Sequence, residues 1–337
     1  MNIKDIAKLA GVGVSTVSRV LNNHPDVKQS TREKVLEVIK ESNYIPNNSA
    51  RILKQINTKN IGVLVKGVFN PFFSEIVNNI GSAISKSKYT MVLQQNDFTF
   101  GDDFDTLQAF IKEKRLQGVI CLGLNFETIT KENVNSLDVP VVLTSGSYGE
   151  FTEGYSTVGI NNVKAAYEAT KYLIELGHKK IAVMIGEEND IGISWTRLKG
   201  YKKAMAEYNI PFFDEYLLVG DYSSQIAYEV MKEFLDKNQD VTAIFSISDI
   251  MAIGIAKAVA DQGYEIGKDI SIIGFDGMDI SEFYNPGITT VEQPKTIMAE
   301  KSVELLMKLL KDRDKNSHII LETKLLKRPS SQKVKER

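Results

Sequence analysis

DIAKLAGVGVSTVSRVLN, residues 5–22, carries the pattern of two short helices crossing at a tight turn. Such a pair needs a small side chain where the second helix crosses the first, and Ala7 supplies one. It needs a turn residue tolerant of positive φ, and Gly11 has no Cβ to oppose it. Val12 then fits as an apolar plug, with Val17 and Val20 on the inner face of the second helix. Val14, Ser15, Ser18 and Arg19 are left facing outward. In a helix-turn-helix the first turn of the second helix enters the major groove of DNA. There Arg19 suits a two-bond contact to guanine and Ser15 suits either a donor or an acceptor on a base edge. Thr16, Ser18 and Asn22 suit phosphate oxygens. The competing reading is a plain helical hairpin. A third, that GVGVST at 11–16 opens a dinucleotide loop, fails because the third glycine is missing and a helix, not a strand, precedes it.

Charge supports the first reading. Residues 1–60 hold ten Lys and Arg against five Asp and Glu, whereas the remaining chain holds 31 against 38. A basic head on an acidic body expects a polyanion at the head alone. Three short helices are expected over residues 4–44. The third is expected to start at Ser30, with Glu33 completing a capping box, and to bury Val35, Leu36, Val38 and Ile39. Residues 47–60 are polar and read as a linker. Asn47-Asn48-Ser49 matches a glycosylation sequon, which has no meaning in a chain without an export signal.

From residue 61 short β-branched runs alternate with helical patterns. Strands are expected at 61–65, 90–94, 118–122, 140–144, 181–185, 216–219, 241–245 and 270–274. Helices fit 72–87, 102–115, 162–176, 196–208, 223–236, 249–262 and 294–311. That alternation means parallel sheets with helical crossovers. The 337 residues suit two or three domains, and two sheets of about six strands split near residue 160 suit the pattern better than one. Ligands of such folds gather at the C-terminal ends of the strands, here between two lobes. The single cysteine, Cys121, lies in the apolar run GVICLGL and is expected to be a buried strand thiol. His24, His178 and His318 have no metal-site spacing. There is no P-loop, zinc motif, G-x-S-x-G or Ser/His/Asp grouping, so no enzyme, cofactor or catalytic or metal site is expected. No apolar run is long enough for a membrane span and the first residues carry acid, so a cytoplasmic protein is expected.

IKDIAKLAGVGVSTVSRVLNN, STREKVLEVI, YIPN and SARILK closely resemble the head of LacI/GalR-family repressors. The resemblance continues through INTKNIGVLV, FNPFFSEI, GINN, LGHKKIAVM, TRLKGY, SDIMAIGIAKAV, ISIIGFD and PGITTVEQP, and so covers almost the whole chain. It implies a small all-α helix-turn-helix DNA-binding domain (1–46), a hinge helix and linker (47–60), an α/β core (61–330) and a tail (331–337). The core would be two Rossmann-like lobes of the type I periplasmic-binding-protein kind. Its N-lobe would span 61–159 plus 291–319 and its C-lobe 160–290 plus 320–330. The resemblance further implies a homodimer on a pseudo-palindromic double-stranded operator. Residues 47–53 would fold on DNA, Leu53 wedging a base step open from the minor groove and small Ala50 letting paired hinge helices approach. After Pro329 the eight residues SSQKVKER are too few for leucine heptads, so a tetramer is not expected.

The family's ligand positions fall on Phe72, Phe73, Arg197, Tyr222, Asp249 and Asp276, which implies a small-molecule effector, a sugar or sugar derivative. Asn70 would cap the helix opened by Pro71. Each residue has a second reading: Phe72 and Phe73 as core, Arg197 as a surface ion pair, Asp249 as a helix cap. Trp195, the only tryptophan, fits cleft or packing equally. Two positions depart from the family pattern, Ser145-Gly146 and Ser248-Asp249, and put a standard hexose effector in doubt. The alternative is a catabolite-control-type regulator switched by a phosphorylated protein partner. Glu304 stands near where that branch would need an arginine.

Overall fold

The computed structural model describes residues 2–21, 24–42, 59–67, 71–96, 103–148, 153–188, 192–238 and 240–335. It forms two units, a head (Met1–Thr58) and a core (Lys59–Arg337).

The head holds α1 (Ile3–Ala10), α2 (Val14–Leu21) and α3 (Gln29–Glu41). Asn2 caps α1: its side chain accepts from the Lys4 and Asp5 amides, and Asp5 Oδ2 accepts from the Asn2 amide at 2.8 Å. Gly11 ends α1 at φ 62°, and the Val12 amide turns back onto the Ala7 carbonyl at 3.0 Å. Ile6, Ala7, Ala10, Val17, Val20 and Val35 form the buried centre, with Val12, Val38 and Ile39 packed against it. Two expectations need correction. α3 starts at Gln29 behind Lys28, which makes no side-chain cap, so Ser30 lies inside the helix. Glu33 accepts from Gln29 Nε2 at 2.9 Å instead of closing a capping box. Leu36 is exposed rather than part of the apolar stripe, because it falls between the inward positions 35 and 38–39 of a 3.6-residue period.

In the core, β1 (Asn60–Lys66), α4 (Pro71–Ser85), β2 (Thr90–Asn96), α5 (Asp103–Lys114), β3 (Gly118–Leu122), β4 (Asn125–Phe126), α6 (Lys131–Asn135), β5 (Val141–Thr144), β6 (Ser147–Tyr148) and β7 (Ser156–Ile160) build the first lobe. The second follows with α7 (Asn162–Glu175), β8 (Ile181–Ile185), α8 (Ile193–Glu207), β9 (Leu217–Val219), α9 (Ser224–Lys237), β10 (Ala243–Ser246), α10 (Asp249–Asp261), β11 (Ser271–Asp276), α11 (Asp279–Phe283) and β12 (Thr289–Glu292). The chain then returns through α12 (Lys295–Leu309), β13 (His318–Leu321) and β14 (Lys324–Leu326). The main sheets run β13-β7-β5-β3-β1-β2 and β14-β12-β11-β10-β8-β9, parallel except for β14 against β12. β4 and β6 form a small parallel pair of their own. Strands such as β3 and β8 are buried along their whole length because helices cover both faces of a parallel sheet. Cys121 is buried in β3, and burial pushes its thiol far above the ordinary range.

The chain passes between the sheets after Ile160, after Glu292 and after Leu321. Residues 291–292 therefore belong to the second sheet and 320–321 to the first, the reverse of the expected bounds. β4, β6, β7, β12, β13 and β14 were not expected as strands. Residue 216 closes a 3-10 turn (Asp214–Tyr216), not a strand. The expected tail is docked through Lys335: His178 Nε2 meets the Gln332 carbonyl at 3.0 Å, the Val334 amide donates to the Leu176 carbonyl, and Lys335 pairs with Asp269. Helix pairs in the second lobe approach through glycine. A Cβ on Gly200 would stand 2.3 Å from the Val163 carbonyl oxygen, and one on Gly254 would stand 2.1 Å from that of Ser224.

Candidate functional site

The candidate DNA contacts of the head lie on the outer face of α2. Val14 opens α2 and is exposed, as are Ser15 and Arg19, while Thr16 and Ser18 are half-buried on the flanks. Positions 14, 15, 18 and 19 share a helix face by their spacing. Val17 and Val20 point the other way, into the head core. Arg19 Nη1 reaches Asp26 Oδ2 at 3.1 Å. Asn22, Ala50 and Leu53, with residues 47–58 of the expected hinge and linker and the Asn70 cap, lie outside the described residues.

The second site is a cleft between the core lobes, with about 670 Å³ of space that opens to solvent. Both sheets present their C-terminal ends to it. From the first lobe come Lys66 at the end of β1, Phe72 and Phe73 on the first turn of α4, Asn125 after β3 and Ser145 after β5. From the second come Glu187 after β8, Ile193 and Arg197 on α8, Tyr222 after β9 and Asp276 at the end of β11. Three of these residues hold left-handed backbone: Ser145 (φ 49°), Tyr222 (φ 47°) and Asp276 (φ 113°). Non-glycine residues adopt such angles at a cost, and they gather where side chains must be aimed at a ligand.

Arg197 is buried, not a surface ion pair. Its Nε donates to Asn162 Oδ1 at 2.9 Å and its Nη1 to the Ile247 carbonyl at 2.6 Å. Nη1 also stands 3.4 Å from Asp276 Oδ1, and the guanidinium lies 3.7 Å over the Phe275 ring. Asp276 Oδ1 accepts from Gln293 Nε2 at 2.8 Å. Burial pushes the Asp276 carboxyl up to about 6 even though Arg197 and Gln293 favour its charged form. Lys66 pairs with Asp103 at 3.0 Å, and the same carboxylate oxygen accepts the Asn125 amide at 2.8 Å. The Tyr222 hydroxyl meets Ser194 Oγ at 3.0 Å, and its ring lies where a Cβ on Gly186 would sit. Phe72 and Phe73 meet edge to face at 5.2 Å. Phe72 belongs to the first-lobe core as well as to the cleft wall, so both of its readings hold.

Asp249 is the correction. It does not line the cleft and it does not cap its helix. It is fully buried, accepting from the Met278 amide at 2.7 Å and from Thr290 Oγ1 at 2.6 Å. It ties α10 to the chain after β11 and to β12. The cap is Ser248, whose hydroxyl accepts from the Met251 amide. Burial and the nearby Asp276 charge push the Asp249 carboxyl up to about 7. Trp195 is exposed and outside the cleft lining. Among the described residues no cluster of acidic, histidine and cysteine side chains could hold a metal ion, and no helix is long and apolar enough to cross a membrane. Lys66, Asn125 and Glu187 were not expected in the cleft. The signal for them was positional: each ends or closely follows a strand of an open α/β sheet, where ligands bind.

Known proteins match both the head and the core. Residues 2–47 match the model "Bacterial regulatory proteins, lacI family", and residues 170–331 match "Periplasmic binding protein-like domain". The chain is 60% identical over 332 residues to the HTH-type transcriptional regulator MalR of Clostridium butyricum, covering 98% of this chain and 99% of that one. Among solved structures it is similar to the transcriptional regulator CelR–cellobiose complex, with TM-score 0.71 and 28% identity over 98% of this chain and 99% of that one. It is also similar to the lac repressor dimer bound to operator and the anti-inducer ONPF, with TM-score 0.76 and 25% identity over 98% and 99%.

Proposed function

The chain belongs to the LacI family of bacterial transcriptional regulators, and on that premise we propose that it is a repressor whose hold on its operator is switched by a carbohydrate bound between the core lobes. The observation that carries this reading is the Arg197–Asp276 pair, buried and fixed by Asn162, Ile247 and Gln293, at the meeting of two strand-end surfaces. A guanidinium and a carboxylate held side by side offer donors and acceptors to neighbouring hydroxyls. Phe73 and Tyr222 add an aromatic surface from each lobe.

The charged groups of the wall balance, Lys66 and Arg197 against Glu187 and Asp276. That balance suits a neutral sugar better than a sugar phosphate. Glu304, the residue placed where a protein-controlled branch would need a cation, is held by Lys301 and Lys308 on α12. The buried Arg197–Asp276 pair in the cleft favours a metabolite over a phosphorylated protein as the signal. In this mechanism the sugar binds one lobe arrangement more tightly than the other and shifts the population between them. The coupling acts on DNA through residues 47–58, with Leu53 in the minor groove, Ala50 at the pairing of hinge helices, and Val14, Ser15 and Arg19 in the major groove. Thr16, Ser18 and Asn22 contact phosphates.

A second copy completes the operator-binding unit. The exposed Ile226, Ile280 and Phe283, with the half-buried Ile253, give α9, α10 and α11 apolar outer side chains that a homodimer would cover. The site reading is tested by calorimetry of the full-length protein with maltose, cellobiose, ribose and glucose 6-phosphate. A neutral sugar should bind, and Arg197→Ala should weaken it by about tenfold or more, the usual cost of removing a charged hydrogen-bonding partner. Binding of the phosphate ester alone would defeat the neutral-sugar reading.

A further inference from the structure

We propose that Asp26, in the loop between α2 and α3, sets the sequence specificity of the head by orienting Arg19 and by opposing contact with DNA backbone alone. The inference rests on the reading of Arg19 as the base-contacting side chain. Asp26 sits in a chain of contacts that begins on the helix outside the groove-facing pair. Arg32 of α3 donates from Nη2 to the His24 carbonyl at 2.6 Å. The His24 amide donates to the Arg19 carbonyl at 2.9 Å, and its ring Nδ1 meets Asp26 Oδ1 at 2.6 Å. The other carboxylate oxygen, Oδ2, takes Arg19 Nη1 at 3.1 Å. His24 and Asp26 are thereby tied to α3 on one side and to α2 on the other, and the carboxylate meets the guanidinium.

Stability does not account for this pairing. The Arg19 and Asp26 side chains are 59% and 46% exposed, and ion pairs that open to water add little to a fold. Recognition does account for it. A guanidinium carries five N–H donors in a rigid planar fork. Asp26 engages Nη1, which restricts the orientation of the side chain while the rest of the fork can face a guanine edge. Holding the long side chain in one orientation before DNA arrives lowers the ordering cost of a two-bond contact.

The carboxylate has a second effect. Binding to random DNA is driven by cations meeting phosphates. A negative charge beside Arg19 weakens that sequence-independent attraction. At the correct site the base-edge hydrogen bonds compensate, and elsewhere nothing does. Asp26 therefore lowers affinity for every duplex but lowers it most for the wrong ones, which is how a repulsive element produces discrimination.

The test uses the full-length protein. A randomised duplex library defines the preferred site of wild type, Arg19→Ala, Asp26→Asn and Asp26→Glu. Fluorescence anisotropy then gives Kd on the wild-type site and on a scrambled duplex across a salt series. Asp26→Asn should tighten binding to the scrambled duplex by roughly three- to tenfold and steepen the salt dependence by about one unit of log–log slope. It should also relax the guanine preference that Arg19→Ala abolishes. Asp26→Glu retains the charge and should stay within about twofold of wild type on the scrambled duplex. Far-UV melting of each variant separates these effects from unfolding. If Arg19→Ala leaves base preference intact, the Arg19 reading fails and this one with it. If Arg19→Ala abolishes the preference but Asp26→Asn changes neither the specific-to-scrambled ratio nor the salt slope, the Asp26 proposal alone is overturned. Equal losses in Asp26→Asn and Asp26→Glu would overturn it as well, since charge would not be the cause.

Discussion

Asp249 and Asp276 stand on adjoining strand-end segments of the second lobe, both buried, and they divide the labour of that region. Asp276 faces the cleft with Arg197, whereas Asp249 fastens Met278 and Thr290 from behind. Their raised carboxyls, about 7 for Asp249 and about 6 for Asp276, fix a pH dependence. An unfolded aspartate titrates near about 3.9. A group whose folded pKa is higher than that contributes stability that is fully present below the unfolded value and is lost as pH rises through the folded one. The core should therefore lose stability from this pair between about pH 4 and pH 7. Asp249→Asn keeps the shape without the charge and should flatten the decline, raising Tm relative to wild type by on the order of 3 °C at pH 7.5 and much less at pH 5. Burial lowers the pKa of His178, and that group acts in the opposite sense as pH falls. Thermal melts of the two proteins side by side cancel its contribution, and parallel curves at both pH values would refute the assignment. The sequence placed Asp249 and Asp276 alike at strand ends. It did not show which carboxylate turns toward the cleft, because that depends on backbone angles such as the φ of 113° at Asp276.

The elements of the core were legible wherever an apolar run was buried on both faces or a helix ran for three turns. β3 and β8 fall on the residues expected of them, and α7 and α10 differ by one residue at an end. The strands that escaped detection are β7, β12, β13, β14 and the two-residue pair β4 and β6. β12 reads TTVE, β14 has three residues, and β13 alternates exposed with half-buried positions at a sheet edge. Their strand character comes from pairing with distant chain, which no local pattern encodes. Close helix contacts were equally silent in the sequence. Gly254 lets α10 lie against α9, and a methyl there would meet the Ser224 carbonyl. Gly254→Ala should destabilise the core by about 1–3 kcal/mol through overpacking, despite the better helix propensity of alanine. Urea unfolding would reveal it as a lower midpoint at unchanged slope, and an unchanged midpoint would mean that the helices yield without cost. In the head, Gly11 and the α2 pattern were read from sequence because a single turn with local contacts determines them.

At the scale of the molecule, the proposed regulator needs two heads on one operator and one cleft per core to control them. Phe283, 83% exposed on α11, tests the first requirement. Phe283→Glu should shift the protein toward monomer in sedimentation at micromolar concentration and weaken operator binding by about tenfold or more, since a charge replaces an aromatic anchor. A variant that stays dimeric with full affinity would place the partner surface elsewhere. The second requirement is the central claim. It is tested most directly by operator affinity measured by anisotropy, on the duplex selected from a random library, with and without each neutral sugar of the panel. At least one sugar should change the apparent Kd by about 5- to 150-fold, the usual span of allosteric coupling. Arg197→Ala should bind the same duplex with that response lost. An operator affinity that no sugar alters, or an Arg197→Ala protein that responds like wild type, would contradict the account.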